Sequence, residues 1–315
     1  SGALPNGQAV ALKTDGTVET ISGVSQSVTA ASTFSSTDAR AGVDSAVYDT
    51  ASNRVVIAYR DQGNGSYGTA VVGTVSGSSI TFGSPVVFNS GVTYSVTAAY
   101  DSSSNKTVIA FQNQSNGNGI AYVGTVSGTS ISFGTSVTFN AGTSDVGICY
   151  DVASNKTVIS YRDTGNSNHG TALVGTVSGT SISFGSEVVF NAGDTDDTTL
   201  VYDSINQKSV IVYKDTANAS YGTAISGTSI SFGTEAVFNS TTTADPRPVY
   251  DSVNQKVVIS YLNQGNSSYG TTVVGTVSGT GISYGTPVVV NSNSTSRLAS
   301  TYNTVAGGVV VAYRD

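Results

Sequence analysis

The dipeptide Tyr-Asp returns at Tyr48/Asp49, Tyr100/Asp101, Tyr150/Asp151, Tyr202/Asp203 and Tyr250/Asp251, and Tyr302/Asn303 is a sixth, altered copy. The steps between successive tyrosines are 52, 50, 52, 48 and 52 residues. A period near fifty with several strands per unit restricts such a chain to a solenoid or a propeller.

The stretch from Tyr150 to Asn191, with the few residues before it, shows what one unit holds. Val146–Tyr150 is a first apolar run, closed by Asp151. Lys156–Tyr161, KTVISY, is β-branched and aromatic, as strands prefer. A Gly/Asn/Ser loop, Asp163–Gly170, leads to a third run, Thr171–Val177, and a tight turn at Gly179 opens a fourth, Ser181–Phe190, with Gly185 marking a bend. No apolar run has helical spacing, so the chain is read as all-β. Four strands joined by short turns form an antiparallel meander, which cannot bury both faces alone; radial stacking of copies solves this. The first run carries small or apolar residues at both parities (Ala46 and Val47, Ile148 and Cys149, Leu200 and Val201), which suits an innermost strand covered on both sides.

The two ends complement each other. Val309–Tyr313 is the end of a second strand, Gln8–Lys13 aligns with a third and Val24–Ser35 reads as a fourth. The expected architecture is therefore one six-bladed β-propeller over residues 1–315, its closing blade built from about 1–36 and 298–315, so that no sheet edge stays open. The fourth copy, Tyr221–Gly233, lacks four residues of a hairpin, and an even loss keeps every side chain on its own face.

Gly, Ser, Thr, Asn and Val dominate, and the net charge of −7 argues against nucleic-acid binding, which needs clustered Lys and Arg. There is no apolar run of membrane-spanning length and no signal-peptide pattern. The chain opens on Ser rather than Met, as expected of a processed chain or a piece of a longer one. Cys149 is the only cysteine and reads as a small buried hydrophobe. The repeated aspartates after Tyr read as turn-formers, as do the Asp or Asn residues closing the second strands (Asp61, Asn113, Asp163, Asp215, Asn263 and Asp315).

Chemistry is sparse. His169, the only histidine, has neither a Ser-His-Asp order nor metal-ligand spacing around it. Asp194, Asp196 and Asp197 could offer hard oxygens to calcium, but without a regular loop spacing they read rather as a solvated acidic run, and no cofactor is expected. The Asp-box of sialidases, SxDxGxTW, and the Trp on which fucose-binding six-bladed lectins lean are both absent, since the chain has no Trp.

What remains is the loop face. The loops between second and third strands read QGNGSYG, QSNGNG, TGNSNHG, TANASYG and QGNSSYG. Four of them pair an amide with an aromatic ring: Asn64 with Tyr67, Asn166 with His169, Asn218 with Tyr221 and Asn266 with Tyr269. Amides plus a flat apolar platform suit a sugar; Asn and Gly also serve turn geometry alone. The segments leaving the fourth strands diverge between copies and concentrate charge, including Arg40, Asp196, Asp245, Arg247 and Arg297. They read as loops ringing the mouth of a central channel, which fits a ligand site or mere loop tolerance.

The units VGTVSGTSISFGSEVVFN and YDVASNKTVISYRD, and the opening ALPNGQAVALKTDGTVE, resemble repeats of bacteriophage tail-fibre and virion structural proteins, cyanophage ones especially, and of bacterial surface proteins. That resemblance covers nearly the whole chain, implies an extracellular virion or cell-surface setting and carries over no binding residue. The function expected is a non-enzymatic recognition module that binds a cell-surface glycan or receptor. Asn64, Tyr67, Asn166, His169, Asn218, Tyr221, Asn266, Tyr269, Asp196, Arg247 and Arg297 are its candidate ligand residues. The alternative is a purely structural subunit whose partners are other virion or surface proteins. A glycan hydrolase, using Asp196, Asp245, Arg247 and Arg297, is the third reading.

Overall fold

The computed structural model describes residues 10–12, 18–20, 32–228, 231–304 and 307–314. They fall into two compact units, one of Gln26–Ala192 and one that joins Ser1–Ser25 to Gly193–Asp315.

The middle unit holds three antiparallel meanders in succession. In the first, Ala39–Asp49 pairs with Arg54–Asp61, which pairs with Tyr67–Ser76; the outer position is shared by Ser79–Phe82 and the start of Val86–Asp101. The rest of Val86–Asp101 opens the second meander with Lys106–Asn113 and Asn118–Ser127. Thr143–Asp151, Lys156–Asp163 and His169–Ser178 form the third.

In the terminal unit the fourth meander runs through Val188–Asp203, Lys208–Asp215 and Tyr221–Thr228. The fifth runs through Ala236–Asp251, Lys256–Asn263 and Tyr269–Ser278. A last sheet orders Arg297–Asn303, Gly308–Arg314, Val10–Leu12 and Val18–Thr20. The N-terminal strand thus pairs with the C-terminal one, Val10 opposite Val311, as the complementary chain ends require. Most of the fourth strand expected at Val24–Ser35 lies outside the described residues, and the second N-terminal strand that is described is Val18–Thr20. Among the described residues the one helical element is the turn Gln264–Asn266.

Two sequence expectations need correction. The fourth run is two strands, Ser181–Phe184 and the start of Val188–Asp203, broken around Gly185. Three of the segments leaving it are not loops: Val86–Asp101, Val188–Asp203 and Ala236–Asp251 are continuous strands of 16 residues that carry the chain from one meander into the next, whereas the strand is interrupted between Asn140 and Thr143 and between Ser294 and Arg297. Their Gly, Ser, Thr and Asp content looks like loop, but backbone pairing on both ends holds them extended.

Burial explains the apolar second strands. Within Lys156–Asp163, Thr157 to Tyr161 are buried at both parities, as in a strand covered on both faces. The innermost strand of the first meander is less covered, with Ala46 exposed. One aromatic slot per second strand (Tyr59, Phe111, Tyr161, Tyr213, Tyr261) is fully buried. The ring that meets it comes from the preceding meander: Phe88 to Phe111 at 5.3 Å, Phe139 to Tyr161 at 5.4 Å and Phe238 to Tyr261 at 5.1 Å between centroids. Phe34 meets Tyr59 in the same way at 5.2 Å, although residues 32–38 are irregular. Each such pair contributes about 1 kcal/mol beyond its area. Cys149 is buried beside this core, as a small hydrophobe should be.

The shortened fourth copy keeps its register. Gly227 stands opposite Phe232 as Gly175 stands opposite Phe184 and Gly275 opposite Tyr284. Two residues are missing from each arm of the hairpin, so no face is inverted.

The repeated aspartates are turn-formers in every copy. Asp151 Oδ1 accepts the N–H groups of Ala153 and Ser154 at 3.0 and 3.1 Å, and Asp49, Asp101, Asp203 and Asp251 hold their turns alike. The residue closing each turn is left-handed, with φ between 53° and 56° at Asn53, Asn105, Asn155, Gln207 and Gln255. Asn tolerates that region better than most side chains.

Candidate functional site

The turns between second and third strands are stitched to the crossing segments on both sides. Gln62 N donates to Asp38 O at 2.8 Å, and Thr93 N donates to Ser66 O at 3.0 Å. The third turn repeats the incoming bond (Thr164 N to Gly142 O), the fifth the outgoing one (Thr295 N to Ser268 O), and the fourth both (Thr216 N to Asp194 O, Thr243 N to Ser220 O). These turns and crossings therefore occupy the same end of each meander.

Within a turn, Asn and the aromatic residue are brought together through the backbone. Tyr67, His169 and Tyr221 donate their N–H to Asn64, Asn166 and Asn218 carbonyls at 3.1, 3.0 and 3.0 Å. Asn266 ends the helical turn before Tyr269. The four asparagines are exposed and the four rings half-buried. Among the described residues none of the four asparagine side-chain amides is hydrogen-bonded within the protein, so they serve the turn through backbone alone. The residues between them are strained: Ser66, Ser167, Asn168, Ala219, Ser220, Ser267 and Ser268 all have φ between 52° and 62°. Left-handed backbone costs roughly 1–2 kcal/mol per non-glycine residue, and such strain clusters at ligand clamps and switches.

The crossing strands share a bulge. Register breaks between Tyr94 and Thr97, Ser144 and Gly147, Asp196 and Thr199, and Ala244 and Arg247. The first bulged residue is left-handed each time, with φ of 47° to 54° at Ser95, Asp145, Asp197 and Asp245. Sequence reading missed this, although a Ser or Asp recurs there at the repeat spacing. A bulge re-aims side chains at a sheet rim.

In four copies the residue just before the bulge faces the penultimate residue of the second strand: Tyr94 with Gln112, Ser144 with Arg162, Asp196 with Lys214 and Ala244 with Leu262. At the same end of two other sheets the pair is Arg–Arg, Arg40 with Arg60 one residue before the bulge, and Arg297 with Arg314 in an unbroken register. Asp196 is held by Lys214 Nζ at 2.9 Å. Arg247 is tied to Asp245 at 2.6 Å and to the Leu298 carbonyl at 3.3 Å. Asp197 Oδ2 accepts the Asp245 N–H at 3.4 Å; burial, then the neighbouring Asp196 charge, pushes its carboxyl above the usual range. Asp194, Asp196 and Asp197 thus do not converge, and no group of three or more metal-ligating side chains is present among the described residues. Arg297 is exposed and joins none of these contacts.

Arg40 and Arg60 make contacts of another kind. Arg40 Nε donates to Gln62 Oε1 at 3.0 Å, and the Arg60 guanidinium lies 4.3 Å from the ring centre of Tyr94 in the next meander. The sequence offered no reason to single out Arg60 or Tyr94, because their juxtaposition depends on the bulged register.

No protein-family model and no curated protein matches the sequence. Solved structures share the fold. AofleA from Arthrobotrys oligospora superposes with a TM-score of 0.55 at 10% identity, over 87% of this chain and 78% of that one. The SapL1 lectin in complex with alpha methyl fucoside gives 0.53 at 12%, over 87% and 88%. A leech intramolecular trans-sialidase gives 0.55 at 8%, over 88% of this chain and 64% of that one. At such identities the likeness is one of fold, the β-propeller type, reached here without the Trp that the sequence patterns of fucose lectins and sialidases would have supplied. Nothing in these comparisons points to a phage or a tail fibre.

Proposed function

We propose that the chain is a non-enzymatic carbohydrate-recognition module, a six-bladed propeller closed by its N- and C-terminal strands and displayed outside the cell, on a virion or a cell surface. The observation that carries this reading is the repeated turn in which an exposed amide with no internal partner stands beside a half-buried aromatic ring. Asn64/Tyr67, Asn166/His169, Asn218/Tyr221 and Asn266/Tyr269 would each offer a sugar two hydrogen-bond donors, an acceptor and an apolar edge. The strained backbone of these turns is consistent with pre-organisation for a ligand. The shared fold with the SapL1 lectin supports the same direction.

The hydrolase reading is weaker, although a trans-sialidase shares the fold. Its carboxylates are neutralised, Asp196 by Lys214 and Asp245 by Arg247. A general acid needs a raised, substrate-facing carboxyl, and the raised one here, Asp197, accepts a backbone N–H.

A glycan-array screen of the chain, repeated with Tyr67→Ala, Tyr221→Ala and Tyr269→Ala combined, tests the proposal. Binding that the triple variant loses supports the repeated-turn site. Binding that survives moves the site to the crossing strands. No binding to any glycan favours the alternative, a structural subunit.

A further inference from the structure

We infer that the first meander carries a subsite for the carboxylate of an acidic saccharide, built from Arg40, Arg60 and Gln62 with Tyr94 of the second meander; this rests on the carbohydrate reading above and narrows its ligand. Arg40 and Arg60 are direct cross-strand partners, so their side chains leave the same face of the sheet. Like charges placed directly opposite destabilise a strand pair. At the equivalent place in the fourth meander the pair is Asp196 with Lys214, joined at 2.9 Å, which is what folding alone would select.

Among the described residues the contacts of the pair are neutral ones, Gln62 for Arg40 and the Tyr94 ring for Arg60. Among the described residues neither guanidinium meets a carboxylate. Arg60 is only 7% exposed, and its buried Nε has no acceptor. Burying a charged group with an unmet donor is costly unless something outside the chain completes it. A carboxylate would meet this charge at the two Nη groups, which a guanidinium presents as parallel N–H donors.

The surroundings select a sugar acid rather than a simple anion. Tyr94 is 42% exposed and already meets the Arg60 guanidinium at 4.3 Å, so it presents an aromatic edge next to the charge. Gln62 holds Arg40 by its carbonyl oxygen and leaves an amide N–H₂ for a ligand hydroxyl. Gln62 also opens the turn that contains Asn64 and Tyr67, so the charged subsite adjoins the proposed sugar-binding turn. The chain as a whole carries −7, so the basic pair is local and suits a single carboxylate better than a polyphosphate.

The test is calorimetric titration of the full chain with 3′-sialyllactose and with a glucuronate-containing tetrasaccharide, each compared with its methyl ester. At least one acid is expected to bind tenfold or more tighter than its ester, and the one that does so names the source of the carboxylate. Arg40→Gln, a surface change that spares the fold, should bring the acid down to the affinity of the ester. Tyr94→Ala should weaken acid and ester alike. Equal affinity for acid and ester, or unchanged selectivity in Arg40→Gln, overturns this assignment and leaves the carbohydrate reading intact. Failure of every saccharide, neutral ones included, overturns both.

Discussion

Tyr100 reaches back one repeat: its Oη accepts the N–H of Ala51 at 3.2 Å and donates to Asn105 Oδ1 at 3.1 Å. Ala51 sits in the turn that Asp49 holds, so the Tyr of one Tyr-Asp pair fastens the Asp turn of the pair before it. In the third repeat the Tyr150 hydroxyl donates to Asn155 Oδ1 at 3.2 Å, and burial, and then the Asp101 carboxylate, pushes it above its ordinary value. Tyr48, by contrast, is 53% exposed and bonds Asn53 of its own turn. Tyr100→Phe is therefore expected to lower stability by about 1 kcal/mol, the typical net worth of a protein hydrogen bond. Tyr48→Phe should cost a few tenths at most. Urea unfolding of the two variants measures both, and equal losses would remove the latch from this account.

Close approach between meanders fixes several glycines more firmly than backbone conformation does. A Cβ built on Gly83 would lie 1.9 Å from the Thr129 carbonyl oxygen, and one on Gly134 would lie 1.9 Å from that of Thr180. Backbone cannot yield as a side chain can. Gly83→Ala is expected to destabilise by about 3 kcal/mol, the upper end for overpacking. Gly77 makes the control, because its added Cβ meets nothing within 4 Å and only its φ of 58° resists substitution. Gly77→Ala should cost about 1 kcal/mol. If thermal denaturation ranks the two the other way, the tight contact between successive hairpins is not what the geometry indicates.

Two aspartates should respond to pH in opposite senses. Burial alone would raise the Asp101 carboxyl, but hydrogen bonds from Ser104, then Ser103, outweigh it and hold it below the ordinary range. Its contribution is present above the unfolded value of about 4 and is lost as pH falls through the lower folded value. Asp197 is raised, first by burial and then by Asp196. Its charged form carries a penalty that is full above the folded value and vanishes below about pH 4. Asp197→Asn should therefore raise the melting temperature at pH 7 and change nothing at pH 3, helped by the tolerance of Asn for φ near 50°. Asp101→Asn should lower it at pH 7. Melting curves across that range decide the matter, and a destabilised Asp197→Asn at neutral pH would contradict the assignment.

The strands, the turn aspartates and the pairing of the chain ends were legible in the sequence because each rests on a local signal. KTVISY and its copies are apolar at both parities, Asp opens a tight turn, and an even deletion preserves alternation, as Gly227 opposite Phe232 bears out. The crossing strands were not legible. A run such as Asn191 to Thr199 looks like loop, since Gly, Asp and Asn are poor strand formers, and it is held extended by pairing at both ends. The loop-face candidates Asn64, Asn166 and Asn218 lie where the repeat placed them, each three residues before an aromatic ring that bonds its carbonyl. Arg40 and Arg60 could not be matched from sequence, because the bulge between Ala41 and Ala46 sets which residues face each other. The likeness to lectins was hidden for a different reason. A fold of this type is specified by strand pattern and stacking, so it can form in a chain without any Trp.

Asp196 decides how the acidic run should respond to calcium. A calcium ion takes six to eight oxygens at about 2.3–2.6 Å, with carboxylates converging on it. Asp196 instead sits 2.9 Å from Lys214 Nζ, and Asp197 turns at a bulge to accept the Asp245 N–H. Assembling a site would first require breaking the Lys214 pair, whose partly exposed position makes it worth about 0.5 kcal/mol, and then refolding a bulge. Millimolar calcium is thus expected to leave the melting temperature within about 1 °C of its value in chelator, since a ligand stabilises only in proportion to its occupancy. Lys214→Ala supplies the sharper comparison. It removes the Lys214 charge from Asp196 beside the Asp197 carboxyl, so it should lower stability at neutral pH and, if the run has any latent affinity, should be the variant in which calcium restores it. A calcium-dependent rise in the unaltered chain would overturn the reading of Asp196 as a structural ion-pair partner and return it to the ligand set.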